Sequence, residues 1–462
     1  MTLFRLLRSL GVCTAIALLW SCAANLGHSA LPLQMTQSAP RPGAAGLQDI
    51  YNFQGSPDGQ RPESAPTCTL GHGVQHVIET CFGTTAGGGD AYGDGTVYGL
   101  TLGKKGKWTE SVLYAFRGGA FGDGSEPVGI APGQDPEGNP DADVSAVAGG
   151  TSGNGALVVL TPTSSGSLRE SFIYSFGGSP DGAHPWGRVV EDNAGNLYGT
   201  TEDGGTYYGG TVYRMAPEAS SYTESVLYSF GGGSSDGAHP LGGLVIDKKG
   251  ALYGTTSEGG SAGAGTVFKL TPAMSGYTES VLYTFQGQPG GSKPEAGLTC
   301  VGGAHSVEPD HTVKPCTGVA KPTGPTLYGT TVYGGANNDG TVFKLTPSGK
   351  GYKETVVWNF GSIAGDGVDP SGGVCVSAKG VIYGTTIGGG SGGSSGVGTV
   401  FALTPSGGAF TESLYSFTGA DGAYPFAGPS IDTKGNMYVT AEEGGTNNDG
   451  VTVKLPSFPA NC

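Results

Sequence analysis

Between Pro185 and Phe230 the chain reads PWGRVVEDNAGNLYGTTEDGGTYYGGTVYRMAPEASSYTESVLYSF, and this unit is written seven times. Three markers count the copies. The Tyr of LYGTT, Tyr198, returns as Phe82, Tyr253, Tyr328, Tyr383 and Tyr438, with a degenerate copy (SAVAGGT) around Val147. The Gly of GTV, Gly210, returns as Gly95, Gly155, Gly265, Gly340, Gly398 and Gly450. The Tyr of LYSF, Tyr228, returns as Tyr51, Tyr114, Tyr174, Tyr283, Trp358 and Tyr415. Tyr198 to Tyr253 and Tyr328 to Tyr383 are both steps of 55 residues. A fixed period of this length means one supersecondary unit per copy, stacked so that neighbours cover each other's apolar faces. It displaces the prior of about three separate domains that chain length alone would give.

Each unit parses into four strands. In the fourth copy strand A is PLGGLVID (240–247), and a Lys-Lys-Gly turn leads to strand B, ALYGTT (251–256). A Gly/Ser loop leads to strand C, GTVFKLTP (265–272), and a further turn to strand D, YTESVLYTF (277–285). The B–C loops hold Gly and Asn-Asp-Gly, which adopt positive φ cheaply. Strands B and C are apolar on both faces (Val267, Phe268, Leu270), as strands in face-to-face sheets are. The expected fold is all-β: a seven-bladed β-propeller with four antiparallel strands per blade. The ends predict how it closes. Residues 48–53 (QDIYNF) read as a D strand, and the chain finishes with A (425–432), B (436–441) and C (450–455). The N-terminal D strand is expected to pair with the C-terminal A, B and C strands, which leaves no open edge.

Gly is 89 of 462 residues without a G-X-Y period, so the excess belongs to turns and not to collagen. A formal net charge of −15 repels phosphate backbones and excludes general nucleic-acid binding. Residues 1–30 read as an export signal: Arg5 and Arg8 precede an apolar run from Leu10 to Trp20, too short for a membrane span of about 20 residues. Leu19-Trp20-Ser21-Cys22 has the form of a lipobox, with Cys22 as the lipidated residue; cleavage after Ala24 or Ala30 is the alternative. Residues 31–47 form a flexible tether and 48–462 the single propeller domain. The expected address is the periplasm, the cell surface or the medium, with a lipid anchor as the only route to a membrane.

PxGGLVID followed by GALYGTT resembles the NHL-type propeller repeat, in which an A–B hairpin begins each blade. The pattern LYGTT, GG, GTVFKLTP, LYSFGG is closer to the bacterial GloVer tandem repeat, and the resemblance covers nearly all of residues 48–455. It implies an exported or surface-anchored propeller and no particular chemistry.

Eight cysteines are present, two of them (Cys13, Cys22) in the leader. Cys68 and Cys300 lie six residues after Pro62 and Pro294, late in strand A, and Cys81 and Cys316 follow the two A–B hairpins that carry insertions. Export permits disulfides, so Cys68–Cys81 and Cys300–Cys316 are the expected pairs. Cys375 either pairs with Cys462 or stays a buried thiol. No CxxC or HExxH spacing supports a metal cluster.

The D–A loops carry a recurrent DGxxP at Asp58, Asp123, Asp181, Asp236, Asp366 and Asp421, and the fifth copy reads GGSKP. Two copies are DGAHP, which place His184 and His239 before strand A. Repetition in nearly every blade favours a turn-building role for the Asp, and the recurrent Glu of TES falls under the same argument. The unit-specific residues are the binding candidates: Asp181, His184, Trp186, Tyr207 and Tyr208, with Asp236, His239 and Tyr424. No nucleophile–base pair, P-loop or GxSxG stands out. The sequence favours a monomeric, non-enzymatic binding or scaffolding module for a protein or glycan partner, with no cofactor. The alternatives are a hydrolase, lactonase or lyase using the acidic loop face with calcium or another divalent metal, and a carbohydrate-binding or matrix protein.

Overall fold

The computed structural model describes residues 47–455 apart from 73–76, 104–105, 135–139, 165–166, 219–220, 301–323, 350, 392–395 and 433–434. The leader, the Cys22 site and nearly all of the tether lie outside the described residues.

Seven four-stranded antiparallel sheets form a ring. Blade 3 runs through strands A to D as Val190–Glu191, Leu197–Thr201, Thr211–Glu218 and Ser221–Ser229. Blade 7 takes Ser430–Ile431, Met437–Ala441 and Val451–Leu455 from the C-terminal end. Its fourth strand is Gln48–Asn52, antiparallel to strand C with Asn52 opposite Val451. The expected closure is therefore what the chain adopts.

Strand A is shorter than its sequence pattern. In blade 4 only Val245–Ile246 ladders, whereas the apolar run begins at Pro240. The reason is crowding at the inner edge. A Cβ on Gly187 of blade 3 would lie 2.6 Å from the backbone N of Gly243 in blade 4, so backbone packs directly on backbone there. Blade 2 departs the other way, with an A strand of 11 residues (Gly124–Gln134) and a B strand of 10 (Pro140–Gly149).

The recurring motifs mostly act between blades. At all seven junctions the residue before the Pro of DGxxP donates its N–H to the carbonyl just ahead of the GTV Gly in the preceding blade. His184 bonds Asn154 at 2.7 Å, His239 bonds Gly209 at 2.8 Å, and Arg61 closes the ring on Asp449 at 2.9 Å. The Pro then sits where a Cβ on that Gly would be: 2.6 Å from Cδ of Pro240 for Gly210, and 2.5 Å from Cδ of Pro185 for Gly155. With the strand B carbonyl of Thr201 at least as close to such a Cβ on Gly210, and φ at 89, this is why GTV keeps its Gly. The first Thr of LYGTT reaches the segment ahead of the next blade's inner strand, as in Thr200 Oγ1 to the Gly242 carbonyl at 3.0 Å. Thr440 does the same to Ser64 across 376 residues, at 2.9 Å. The second Thr stays home and bonds strand C, as Thr201 does with Thr211 at 2.8 Å.

Aromatic packing fills the gaps between sheets. The Phe of LYSF is fully buried at Phe53, Phe116, Phe176, Phe230, Phe285 and Phe360. Phe230 meets Phe268 of the next blade at 5.0 Å, and Phe53 crosses the closure to Tyr98 at 5.0 Å. Each such ring contributes about 2 kcal/mol by burial. The Cys68–Cys81 disulfide joins directly opposed residues of strands A and B in blade 1. Cys300 and Cys375 are disulfide-bonded as well; the partners expected for them, Cys316 and Cys462, lie outside the described residues.

Two outcomes test this frame. Gly210→Ala must clear the Pro240 ring and the Thr201 and Glu202 carbonyls, and should cost about 2–4 kcal/mol. Gly263→Ala, at φ 66 with open space around it, should cost about 1 kcal/mol from backbone strain alone. Urea titrations that return the same loss for both would remove crowding at the junction as the cause. Deleting residues 48–53 should abolish the folded monomer or drive it to oligomerise, and a truncated monomer with unchanged melting would refute the closure.

Candidate functional site

The D–A and B–C loops emerge on the same face and are stitched together there. Gly182 and Ala183 of one DGAHP pair with Gly204 and Asp203 of the following B–C loop, and four other blades form the same two-residue ladder. The Asp of DGxxP turns inward. Asp181 accepts the Gly177 N–H at 2.7 Å, the Gly182 N–H at 2.6 Å and the Tyr174 hydroxyl at 3.1 Å. Asp236 accepts Gly231 and Gly237, each at 2.7 Å. These two candidate carboxylates hold turns, as the repetition argument expected.

The two histidines behave differently. His184 Nδ1 lies 2.9 Å from Asp203 Oδ2, and His239 Nδ1 lies 3.3 Å from Asp203 Oδ1. One carboxylate in the blade 3 B–C loop therefore bridges imidazoles from blades 3 and 4. Beside it, Trp186 Nε1–H donates to Glu202 Oε2 at 2.6 Å. Tyr207 and Tyr208 continue the same loop and are 66% and 69% exposed. The fold thus brings His184, His239 and Trp186 together on Glu202 and Asp203, with Tyr207 and Tyr208 further along the same B–C loop. Tyr424 stands in blade 7, at the position equivalent to His184.

That equivalence is the feature the sequence reading missed. The residue before the Pro is Arg61, Glu126, His184, His239, Lys293, Asp369 and Tyr424 in turn, and in all seven it is left-handed, with φ from 54 to 58. This conformation is costly for a side chain of this size and is disfavoured again before proline. The backbone is constant and the side chain changes at every step. The signal was present in the sequence: within DGxxP, the last x is never Gly or Ala. Glu202 and Asp203, the partners of Trp186 and the histidines, carried no such signal because their blade-mates are Ser257 and Glu258, Val332 and Tyr333.

Electrostatics distinguish this sector from the outer belt. The hydrogen bond to Asp203 raises both histidine pKa values, against an opposing effect of burial. The bonds to His184 and His239 hold the Asp203 carboxyl well below the usual range. On the outer strands, burial and then the charge of the neighbouring loop Asp push Glu110, Glu224 and Glu279 of the TES triplets up to about 7. Among the described residues no group of three His, Cys, Asp or Glu is placed to hold a metal.

Both sets of groups give the same sign. A raised carboxyl stabilises the fold below its unfolded pKa near 4.3 and loses that contribution as pH rises toward 7. A raised histidine contributes below about 6.5 and loses it as pH rises through its folded value. The lowered Asp203 contributes above about 3.9 and loses it as pH falls through its folded value. Melting temperature should therefore be highest near pH 5 and fall toward pH 8. Replacing Glu224 and Glu279 together with Gln should flatten that fall, and a double variant that follows the parent pH profile would exclude the carboxyl belt as its source.

A solved structure of a protein of unknown function from Dyadobacter fermentans DSM 18053 is similar with a TM-score of 0.36 and 11% identity, over 81% of this chain and 100% of that one. No curated protein matches the chain. The family model of the Gloeobacter/Verrucomicrobia repeat matches residues 71–307 and 303–458, nearly the whole propeller. With its repeat, its ring and its motif-built junctions accounted for by that one unit, the chain belongs to the Gloeobacter/Verrucomicrobia repeat family.

Proposed function

We propose that the protein is an exported, non-catalytic recognition module that meets its partner with the face bearing the D–A and B–C loops. The observation that carries this reading is the ring of seven left-handed residues. Gly would occupy φ 54–58 without strain, yet the chain places Arg61, Glu126, His184, His239, Lys293, Asp369 and Tyr424 there. Their backbones are fixed by the same inter-blade hydrogen bond, and their side chains are at least partly exposed. A rigid, repeated backbone with a different side chain at each step is a means of displaying a pattern. Strain kept at such positions favours a functional role over a structural one.

Export is supported by the leader, with Arg5 and Arg8 ahead of the apolar run, and by the Cys68–Cys81 disulfide, a bond that persists in oxidising compartments. The alternative of a metal-assisted hydrolase finds no comparable observation.

The ring reading predicts an unusual stability result. Arg61→Gly, Lys293→Gly and Tyr424→Gly should leave melting unchanged or raise stability by up to about 1 kcal/mol each, because Gly relieves the strain. Calorimetry of the three variants checks this. Losses beyond 1 kcal/mol at all three would mean that the side chains hold the fold, and the ring would then be architecture.

A further inference from the structure

Nine large hydrophobic side chains are exposed among the described residues, and six of them are aromatic: Tyr92, Phe121, Tyr207, Tyr208, Tyr333 and Tyr424. All six stand on D–A or B–C loops, so one face carries every exposed ring; Met274, in a C–D turn, marks the opposite face. Such clustering is the mark of an interaction surface.

Tyr208 adds an independent observation. It is left-handed at φ 63, two residues before the GTV Gly. The same place is filled in sister blades by Gly93, Gly153, Gly263, Asn338 and Asn448, with φ from 62 to 73. Gly and Asn are the residues that tolerate this conformation, and a bulky residue there is an outlier. Yet Tyr208 is the most exposed aromatic residue described. The strained backbone holds a phenol ring out into solvent.

Charge narrows the occupant. The face is rich in carboxylates, and most of those in this sector are engaged, with Glu258 of the blade 4 B–C loop exposed. Asp181 and Asp236 cap turns, Asp203 holds two imidazoles, and Glu202 takes the indole N–H. Such a surface offers no array of open anions to a basic partner. With a chain charge of −15 it repels an acidic polymer. What it presents is flat rings with polar edges, beside rigidly positioned polar groups. His184 and His239 turn Nδ1 to Asp203, which leaves Nε2 on the opposite side of each half-exposed ring. Tyrosine rings supply large, stiff, amphipathic contact area at low entropic cost. Tyr207 also walls a surface groove of about 590 Å³ with Tyr174, Pro180 and Tyr228, and Asp181 and Glu224 line it as well.

Resting on the recognition-face reading above, we propose that the sector over blades 3 and 4 binds a neutral polysaccharide. Tyr207 and Tyr208 stack on the apolar faces of its sugar rings, and His184 and His239 hydrogen-bond its hydroxyls. A neutral sugar chain needs these two kinds of contact together, apolar ring faces and rigidly held polar groups.

Native affinity electrophoresis of the full mature chain tests this, with gels containing dextran, xyloglucan, mixed-linkage β-glucan or polygalacturonate, and a parallel fluorescence titration with poly-lysine. At least one neutral polysaccharide should retard the protein. Tyr207→Ala and Tyr208→Gly should each weaken the retardation tenfold or more, and Met274→Ala should leave it unchanged. Tyr208→Gly relieves strain, so its loss of binding would not come from misfolding. Retardation by polygalacturonate alone, retardation that both Tyr variants retain, or no retardation in any gel would overturn the proposal. Binding of poly-lysine alone would overturn the polysaccharide and leave the recognition face standing, whereas destabilisation by the ring-to-Gly variants would remove the face itself.

Discussion

Every blade junction in this protein turns on one close approach: a proline ring packed against the preceding blade's GTV glycine, where a Cβ would meet both the ring and a strand B carbonyl. Around it the other ties fall into place. The residue before the proline is pinned by its N–H, the Gly after the Asp pairs with the B–C loop in five blades, and the buried Phe packs below. Because proline lacks an N–H and fixes its own φ, it can serve as a wedge without leaving a donor unsatisfied. The contact recurs at the closure, where Pro62 lies over Gly450, so the ring is held the same way where the two ends of the chain meet as everywhere else.

That shared junction explains what could be read from the sequence and what could not. The period, the four strands and the borrowed strand 48–53 were legible because burial on both faces writes itself into apolar runs, and turns into Gly and Asn-Asp-Gly. The length of strand A was not legible. Its PxGG segment is apolar like a strand but is used for backbone-on-backbone packing at the inner edge, where ladder pairing stops. Of the candidate site, His184, Trp186, Tyr207, Tyr208 and His239 were found because they differ from their blade-mates. Asp203 was missed since an acidic residue in an acidic loop has no contrast, and only the register of the loop ladder brings it between two histidines.

The fifth copy shows how local the architecture is. Where the others have Asp, GGSKP has Gly290, and the Glu of the same copy's strand D, Glu354, is raised by burial alone with no loop carboxylate beside it. Glu224 and Glu279 each face such an Asp and have both causes. The wedge at Pro294 and the N–H bond of Lys293 to Ala264 are unaffected. Losing the turn Asp therefore changes the electrostatics of the outer belt without touching the junction. The two layers of the blade are separable, and a sequence can drift in one while the other holds.

Separability also accounts for where the variation collects. Blade 2 has Val158 in the strand C position that Tyr98, Tyr213 and Phe268 fill elsewhere, and Thr84 of blade 1 finds no partner for its hydroxyl. The first junction is thus missing two of the secondary ties, yet Glu126 still bonds Asp94 at 3.0 Å and Pro127 still sits over Gly95. The wedge and the pinned N–H are kept at this junction although both secondary ties are lost, and they set the backbone of the residue before the proline whatever its side chain. That residue must tolerate a left-handed backbone before proline. Backbone strain alone would favour Gly at that position. That the chain never places Gly there is the physical reason to look for its partner on this face.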